Sequence, residues 1–319
     1  MGSSIIIHQI LIFGLLMLIG VIAKKAKVIS EEGNDVLSRV IIDITLPALI
    51  LTTFLKLDYN AEMMLNGVAV FCLAYVNLLI MFLIGTISSR TLKLNPSETT
   101  VHTLHTMFGN IVFLGYPLLD ALFPGGLGVF YAAAYQLASN SITYTYGIYR
   151  LSSGNQKGRI KRLFNINTIA LILGFTLMMC KVKIPGYIVD GLNGLGKVTS
   201  PLSMVYIGAL LAGMSIKNSF KTTSIYVISF TKLLLIPILL ALTYKFALEL
   251  LGVQVSTTAF SVLIMEAAMP CQTIVVVMSR RYNGEYKLAA GNLFVTTVLS
   301  IFTLPLIYRF LEYIMNVTF

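Results

Sequence analysis

The chain has little charge. Only 11% of its 319 residues are Asp, Glu, Lys or Arg, while 57% are hydrophobic. Soluble domains carry about 25% charged residues. So thin a polar coat excludes a soluble globular domain, and so apolar a chain excludes disorder. Three cysteines exclude a disulfide scaffold, and Cys72, Cys180 and Cys271 stand in apolar stretches without metal-like spacing. His8, His102 and His105 are too scattered for a metal cluster. No His-Glu-x-x-His occurs, and Asp43 and Asp120 lack the motifs of an intramembrane aspartyl protease. No catalytic residue is therefore expected, and the chain does not read as an enzyme. No basic residue precedes the first apolar run and no small-residue cleavage site follows it, so that run reads as a retained helix rather than a signal peptide.

What the chain does have is long apolar runs. They are Ile5–Ala23, Val36–Leu55, Met63–Ser88, Thr99–Phe123, Leu127–Tyr149, Ile166–Cys180, Val198–Ile216, Ile225–Phe246, Thr257–Met278 and Leu288–Tyr308. A membrane-crossing helix needs about 20 apolar residues, whereas barrel strands run to about 9–11 and alternate in polarity. The expected fold is an all-α membrane protein with ten transmembrane helices. Most of the 23 Lys and Arg fall in the odd-numbered connections and their margins, as with Lys24, Lys25 and Lys27, or Arg150, Lys157, Arg159, Lys161 and Arg162. By the positive-inside rule those connections are cytoplasmic, and both termini lie outside the cytoplasm. The net charge of +10 thus marks orientation in a cell membrane, and no nucleic-acid partner is expected.

The two halves match each other. Gly20 and Gly174, Lys27 and Lys181, and Pro47 and Pro201 are each 154 residues apart, and Pro117 and Pro270 are 153 apart. The halves are 1–150 and 165–319, joined by a cytoplasmic linker over 151–164. Each holds five spans, so the second is inverted relative to the first. Inverted repeats are typical of secondary transporters, whose sites lie near the midplane at the repeat interface.

The fourth and ninth spans are unusual. The fourth is polar and has Gly115 and Pro117 in its interior. The ninth has Glu266, then Met269-Pro270-Cys271-Gln272. Proline removes an N–H and clashes with the preceding turn. A break at each would expose an N–H end that favours an anion such as a carboxylate. Ionisable residues inside spans are costly and mark candidate function. Glu266, one turn before Pro270, is positioned to bind Na⁺ with freed carbonyls or to carry a proton. Asp43 either pairs with Lys232 as a brace or a gate, or reaches toward the cytoplasmic face beside Arg39. His105, with His102, either couples protons or contributes neutral hydrogen bonds. Gln136 and Asn140, at helical spacing on the fifth span, are positioned to line a substrate route.

These residues carry a resemblance. Asn110-x-x-Phe113-x-Gly115-Tyr116-Pro117, Ala267-Ala268-Met269-Pro270, Thr296-Thr297-x-x-Ser300-x-x-Thr303-Leu304-Pro305 and Thr45-Leu46-Pro47-Ala48-Leu49 resemble the auxin efflux carrier family. The whole chain is similar to its compact bacterial branch, the malate permease-like members without a long central loop. The resemblance implies a bile acid:sodium symporter-like architecture in which spans four and nine unwind and cross. It implies a scaffold from 1–58 and 165–220, often dimeric, and a transport domain from 59–150 and 221–319 that shifts like an elevator. It puts the crossover on Asn110, Gly115, Tyr116, Pro117, Pro270, Cys271 and Gln272. The function expected is secondary transport of small organic anions, dicarboxylates or auxin-like carboxylates. No cofactor is expected beyond a coupling Na⁺ or H⁺, and no metal site beyond Na⁺ near Glu266. The partners expected are the anion, membrane lipid and a second copy of the chain. A channel, or a transporter-like membrane sensor without coupled turnover, is the alternative.

Overall fold

The structure is a computed structural model that describes residues 2–57, 60–154, 164–182, 184–214, 222–252 and 255–315. Among these residues there are helices and no strand. The helical units are α1 (Gly2–Lys25), α2 (Glu31–Lys56), α3 (Ala61–Thr91), α4 (Pro96–Met107), α5 (Ile111–Leu122), α6 (127–151), α7 (Ile166–Met179), α8 (Gly186–Gly213), α9 (Thr223–Leu251), α10 (Thr257–Ala268), α11 (Thr273–Arg281) and α12 (Tyr286–Met315). Over the described residues, α2, α3, α8, α9, α12 and the His8–Lys25 part of α1 are long and apolar enough to cross a membrane, while α5, α7 and α10 are shorter apolar helices. Large apolar side chains face outward, as Leu65, Phe246 and Phe302 do. Polar ones such as His102, His105, Lys232, Glu266 and Asn292 are buried. That inside-out distribution suits a lipid solvent.

Over the described residues each apolar run read from the sequence falls on helix, with shifted ends and with an interruption in the fourth and ninth. The seventh starts at Gly186 rather than Val198, so Lys197 is helical and not in a loop. The tenth continues to Met315 and takes Arg309 with it. Most of the expected linker over 151–164 lies outside the described residues, as do Lys157, Arg159, Lys161, Arg162, Lys183, Lys217 and Lys221.

Three prolines meet the same local solution. Pro47, Pro117 and Pro237 each follow a π-turn, at Ile41–Thr45, Ile111–Gly115 and Thr231–Leu235. In each case the residue before the proline reaches back five positions: Leu46 N–H to the Ile41 carbonyl, Tyr116 to Ile111, Ile236 to Thr231. A wider turn makes room for the ring and for the carbonyl it would otherwise strike. These helices continue through their prolines. Pro201 and Pro305 lie within α8 and α12.

The most extensive helix contacts fall in two sets, which α1–α12, α2–α6 and α5–α8 contacts join. α1 packs on α8, and α2 packs on α7 and α8. α3 packs on α4 and α6, α6 on α10, and α12 on α9 and α11. The α1–α8 contact is close because glycines meet backbone there. A Cβ on Gly20 would strike the Val205 carbonyl, and one on Gly208 the Met17 carbonyl. Without a hydrophobic drive between helices in lipid, such close packing is what holds them together. Overpacking a filled contact costs about 1–3 kcal/mol or more. Gly208→Leu is therefore expected to lower the melting temperature or abolish folding. Gly14→Leu, where a Cβ meets nothing within 4 Å, is expected to melt as the parent does.

Candidate functional site

The fourth and ninth runs are both interrupted. α4 ends at Met107 and α5 begins at Ile111, leaving Phe108-Gly109-Asn110 extended or irregular. α10 ends at Ala268 and α11 begins at Thr273, leaving Met269 to Gln272 unwound around Pro270. The ninth break is where its proline led us to expect it. The fourth is not. It precedes Pro117 by two turns, and Pro117 sits in the first turns of α5 behind its π-turn.

The unwound pieces cross and pair. Gly109 and Cys271 form an isolated antiparallel bridge. Asn110 N–H donates to the Pro270 carbonyl at 2.8 Å, and Gln272 N–H donates to the Phe108 carbonyl at 3.2 Å. Glycine is required at the bridge, because a Cβ on Gly109 would lie 2.9 Å from Met269 Cβ and 3.0 Å from the Glu266 carbonyl oxygen. Two of the N–H groups expected to meet an anion are thus used in the crossing itself. Neither α5 nor α11 has a side-chain cap at its start, so the N–H ends beyond the crossing remain as the electropositive features of the region.

Side chains from other helices complete the crossing. Thr296 Oγ1 on α12 accepts Cys271 N–H at 3.1 Å and donates to the Asn292 carbonyl at 2.6 Å. His105 Nε2 lies 3.3 Å from the Gln272 carbonyl and its Nδ1 lies 3.3 Å from Asn292 Nδ2. A neutral ring with its proton on Nε2 satisfies both contacts. His102 is set between Ser88 Oγ on α3 and Ser224 Oγ on α9, each at 2.8 Å. Both histidines are fully buried, so they tie helices together rather than line an open path.

Glu266 is 1% exposed, and neither carboxylate oxygen has a hydrogen-bond partner. It lies against the first turn of α5, where a Cβ on Gly115 would come within 3.0 Å of Oε1. Asn110 Nδ2, Gln272 Oε1, Thr273 Oγ1 and Asn292 Oδ1 are also buried without partners. Such groups are costly to leave so, and their gathering at one crossing makes it the candidate site.

The other sequence-derived residues fall as follows. Tyr116 OH donates to Gln136 Oε1, tying α5 to α6. Asn140 is buried on α6. Asp43 is exposed on the π-turn of α2. It forms no ion pair with Lys232, and the brace or gate between them is corrected. Lys232 is fully buried and donates to the Thr106 carbonyl at 3.0 Å. Asn292 and Asn77 were not singled out from the sequence. Asn292 stands one turn before Thr296 on the same helix face, which is the signal that was available.

Comparison with known proteins bears on what this site does. A family model described as membrane transport protein matches residues 5–161 and 155–308. An uncharacterized transporter of Methanothermobacter thermautotrophicus is 28% identical over 314 residues, covering 96% of this chain and 97% of its own. An uncharacterized transporter of Methanocaldococcus jannaschii is 27% identical over 312 residues, covering 93% of this chain and 96% of its own.

A side chain at position 109 must push the two unwound pieces apart. Gly109→Val is expected to destabilise the protein by about 1–3 kcal/mol, read as a fall in melting temperature. Gly191→Val, at a glycine whose Cβ would meet nothing within 4 Å, should change it little.

Proposed function

The chain belongs to the membrane transport protein family whose members include the auxin efflux carriers, and from that premise we propose that it is a secondary carrier of small organic anions. It is a multi-pass membrane protein of a transporter family, which argues for a carrier rather than an enzyme. The observation that carries the finer reading is the paired crossing of two unwound segments, with uncapped helix starts and unpartnered buried polar groups gathered at it.

In this reading the ten spans form two inverted five-helix repeats. Several contacts support it. Gly20 packs on α8 and Gly174 packs on Phe54 of α2, so glycines at matching places in the two halves make reciprocal contacts. Each break likewise follows a half-helix of 12 residues, α4 in one half and α10 in the other, although Pro117 lies beyond its break and Pro270 within its own. The group α1, α2, α7 and α8 is the scaffold (1–58 and 165–220) and pairs with a second copy. The remaining helices (59–150 and 221–319) are the transport domain and carry the crossing past the scaffold. The termini lie outside the cytoplasm.

The substrate's carboxylate meets the start of α11, where Gln272 and Thr273 add polar groups, and the start of α5 with Asn110. Helix starts hold anions through N–H groups and the helix dipole. Gly115, Tyr116 and Pro117 shape α5 behind Asn110, and Pro270 and Cys271 hold the crossing open at α11. Gln136 positions Tyr116, and Asn140 lies farther along the same route. Glu266 is the coupling residue. Its two unpartnered oxygens fit a sodium ion or a proton, either of which neutralises the carboxylate while the domain moves through an apolar interior. His105 keeps the crossing in register beside it.

Two experiments test this. Proteoliposomes are expected to show saturable counterflow of malate, malonate or indole-3-acetate; folded protein that moves none of a panel of mono- and dicarboxylates would contradict the reading. Glu266→Gln is expected to remove dependence on a sodium or pH gradient. It should also slow uptake by about tenfold or more, the scale of one lost charge-assisted contact of about 1.5–3 kcal/mol. Unchanged uptake with unchanged ion dependence would dismiss its coupling role.

A further inference from the structure

Among the described residues, Lys232 is a buried amine that makes no ion pair. Lys232 stands on the π-turn of α9 and is 0% exposed. The ion pairs among the described residues are Lys24–Glu31 and Lys245–Glu249, and Lys232 is in neither. Its ammonium donates to the carbonyl of Thr106, in the last turn of α4 just before the unwound piece. A helix that stops inside a membrane leaves its final carbonyls unsatisfied and its end partially negative. At α4 these carbonyls are met from three directions: Cys271 Sγ–H on that of His105 at 3.8 Å, Lys232 Nζ on that of Thr106 at 3.0 Å, and Gln272 N–H on that of Phe108 at 3.2 Å.

The other half-helix that ends at the crossing is treated differently. A side chain at a similar place in the first half, Asn77 on α3, donates Nδ2 at 3.2 Å to the Leu263 carbonyl, which lies inside α10 and before its final turn. Asn77 is neutral and is held in turn by the Tyr244 hydroxyl. The acid Glu266 then follows one turn later with both oxygens unpartnered. The α4 end therefore has a lysine amine bonded to one of its carbonyls, while the last turn of α10 carries a carboxyl group with no hydrogen-bond partner.

We propose that the Lys232 ammonium is a built-in cation at the α4 end of the crossing, standing where a bound metal ion would otherwise be needed. That end takes no sodium, and the exchangeable cation is confined to the Glu266 end. This rests on the reading of the crossing as a carrier's site, and it goes further by assigning a different charge role to each end. The Thr106 carbonyl is the oxygen a small cation would meet if the ammonium were removed.

The test is thermal unfolding of the purified full-length protein in sodium chloride and in choline chloride at equal ionic strength. Lys232→Met keeps most of the side-chain volume and removes the charge. It is expected to melt lower than the parent in choline, and to gain a sodium-specific rise about 2–4 °C larger than the parent's own. Parent-like stability in choline, or a sodium response equal to the parent's, would overturn the proposal. If Lys232→Met does not fold, Lys232→Ala is prepared in sodium, methylammonium and choline chlorides. Folded protein in the first two alone is expected, and no recovery in any salt, or equal recovery in all three, overturns the proposal. These melts need no substrate. A failed counterflow experiment would count against the carrier reading and leave this result standing, and the reverse also holds.

Discussion

Two backbone hydrogen bonds, from Asn110 N–H to the Pro270 carbonyl and from Gln272 N–H to the Phe108 carbonyl, make the rest of this structure possible. Lipid offers no partner to an open peptide group, so a helix cannot stop in mid-membrane unless protein meets its loose ends. Two helices that stop at the same depth and cross in opposite directions can meet each other's. Gly109 allows the approach, since any side chain there would run into Met269 and the Glu266 carbonyl. Thr296 takes the Cys271 N–H, and His105 holds the Gln272 carbonyl. Each of these contacts comes from a different helix, so the crossing also locks α4, α10, α11 and α12 into one block.

The ends that face away from the pairing differ, and chemistry follows from the difference. Helix C-termini are partially negative and N-termini partially positive. The C-terminal end of α4 has its cation supplied by Lys232. The C-terminal end of α10 has Glu266, whose carboxylate lies against the first turn of α5. The N-terminal ends of α5 and α11 have no side-chain cap. A molecule with this arrangement offers a small anion two electropositive helix starts and offers a small cation one buried carboxylate. Both demands are met by backbone and a few side chains, so little of the site depends on exposed charge.

Much of this was legible in the sequence, and the losses have physical causes. The scarcity of charge and the ten apolar runs point to helices in lipid, and over the described residues the runs fall on helix, the fourth and ninth with a break. Pro270 marked its break, because no wider turn absorbs it. Pro117 misled, because a π-turn absorbs the ring and the helix breaks instead at Phe108 to Asn110, where glycine and a crossing partner make an extended backbone favourable. Pro47 and Pro237 behave as Pro117 does. Lys232 reads as an expensive charge whose expected partner is the carboxylate of Asp43. It found a main-chain carbonyl, and carbonyls at helix ends are invisible until the end itself is located. Asn292 is one polar residue in an apolar run. Its role depends on which face of α12 meets His105, and spacing from Thr296 alone hints at that face.

The most direct measurement is amide hydrogen exchange, resolved to single residues, on the purified protein. If the two unwound segments are joined as described, the N–H groups of Asn110 and Gln272 exchange far more slowly than those of Val112 and Ile274, which stand at the uncapped helix starts beside them. Exchange at Asn110 and Gln272 as fast as at Val112 and Ile274 would mean that the crossing is not held by these bonds, and the account built on it would fail.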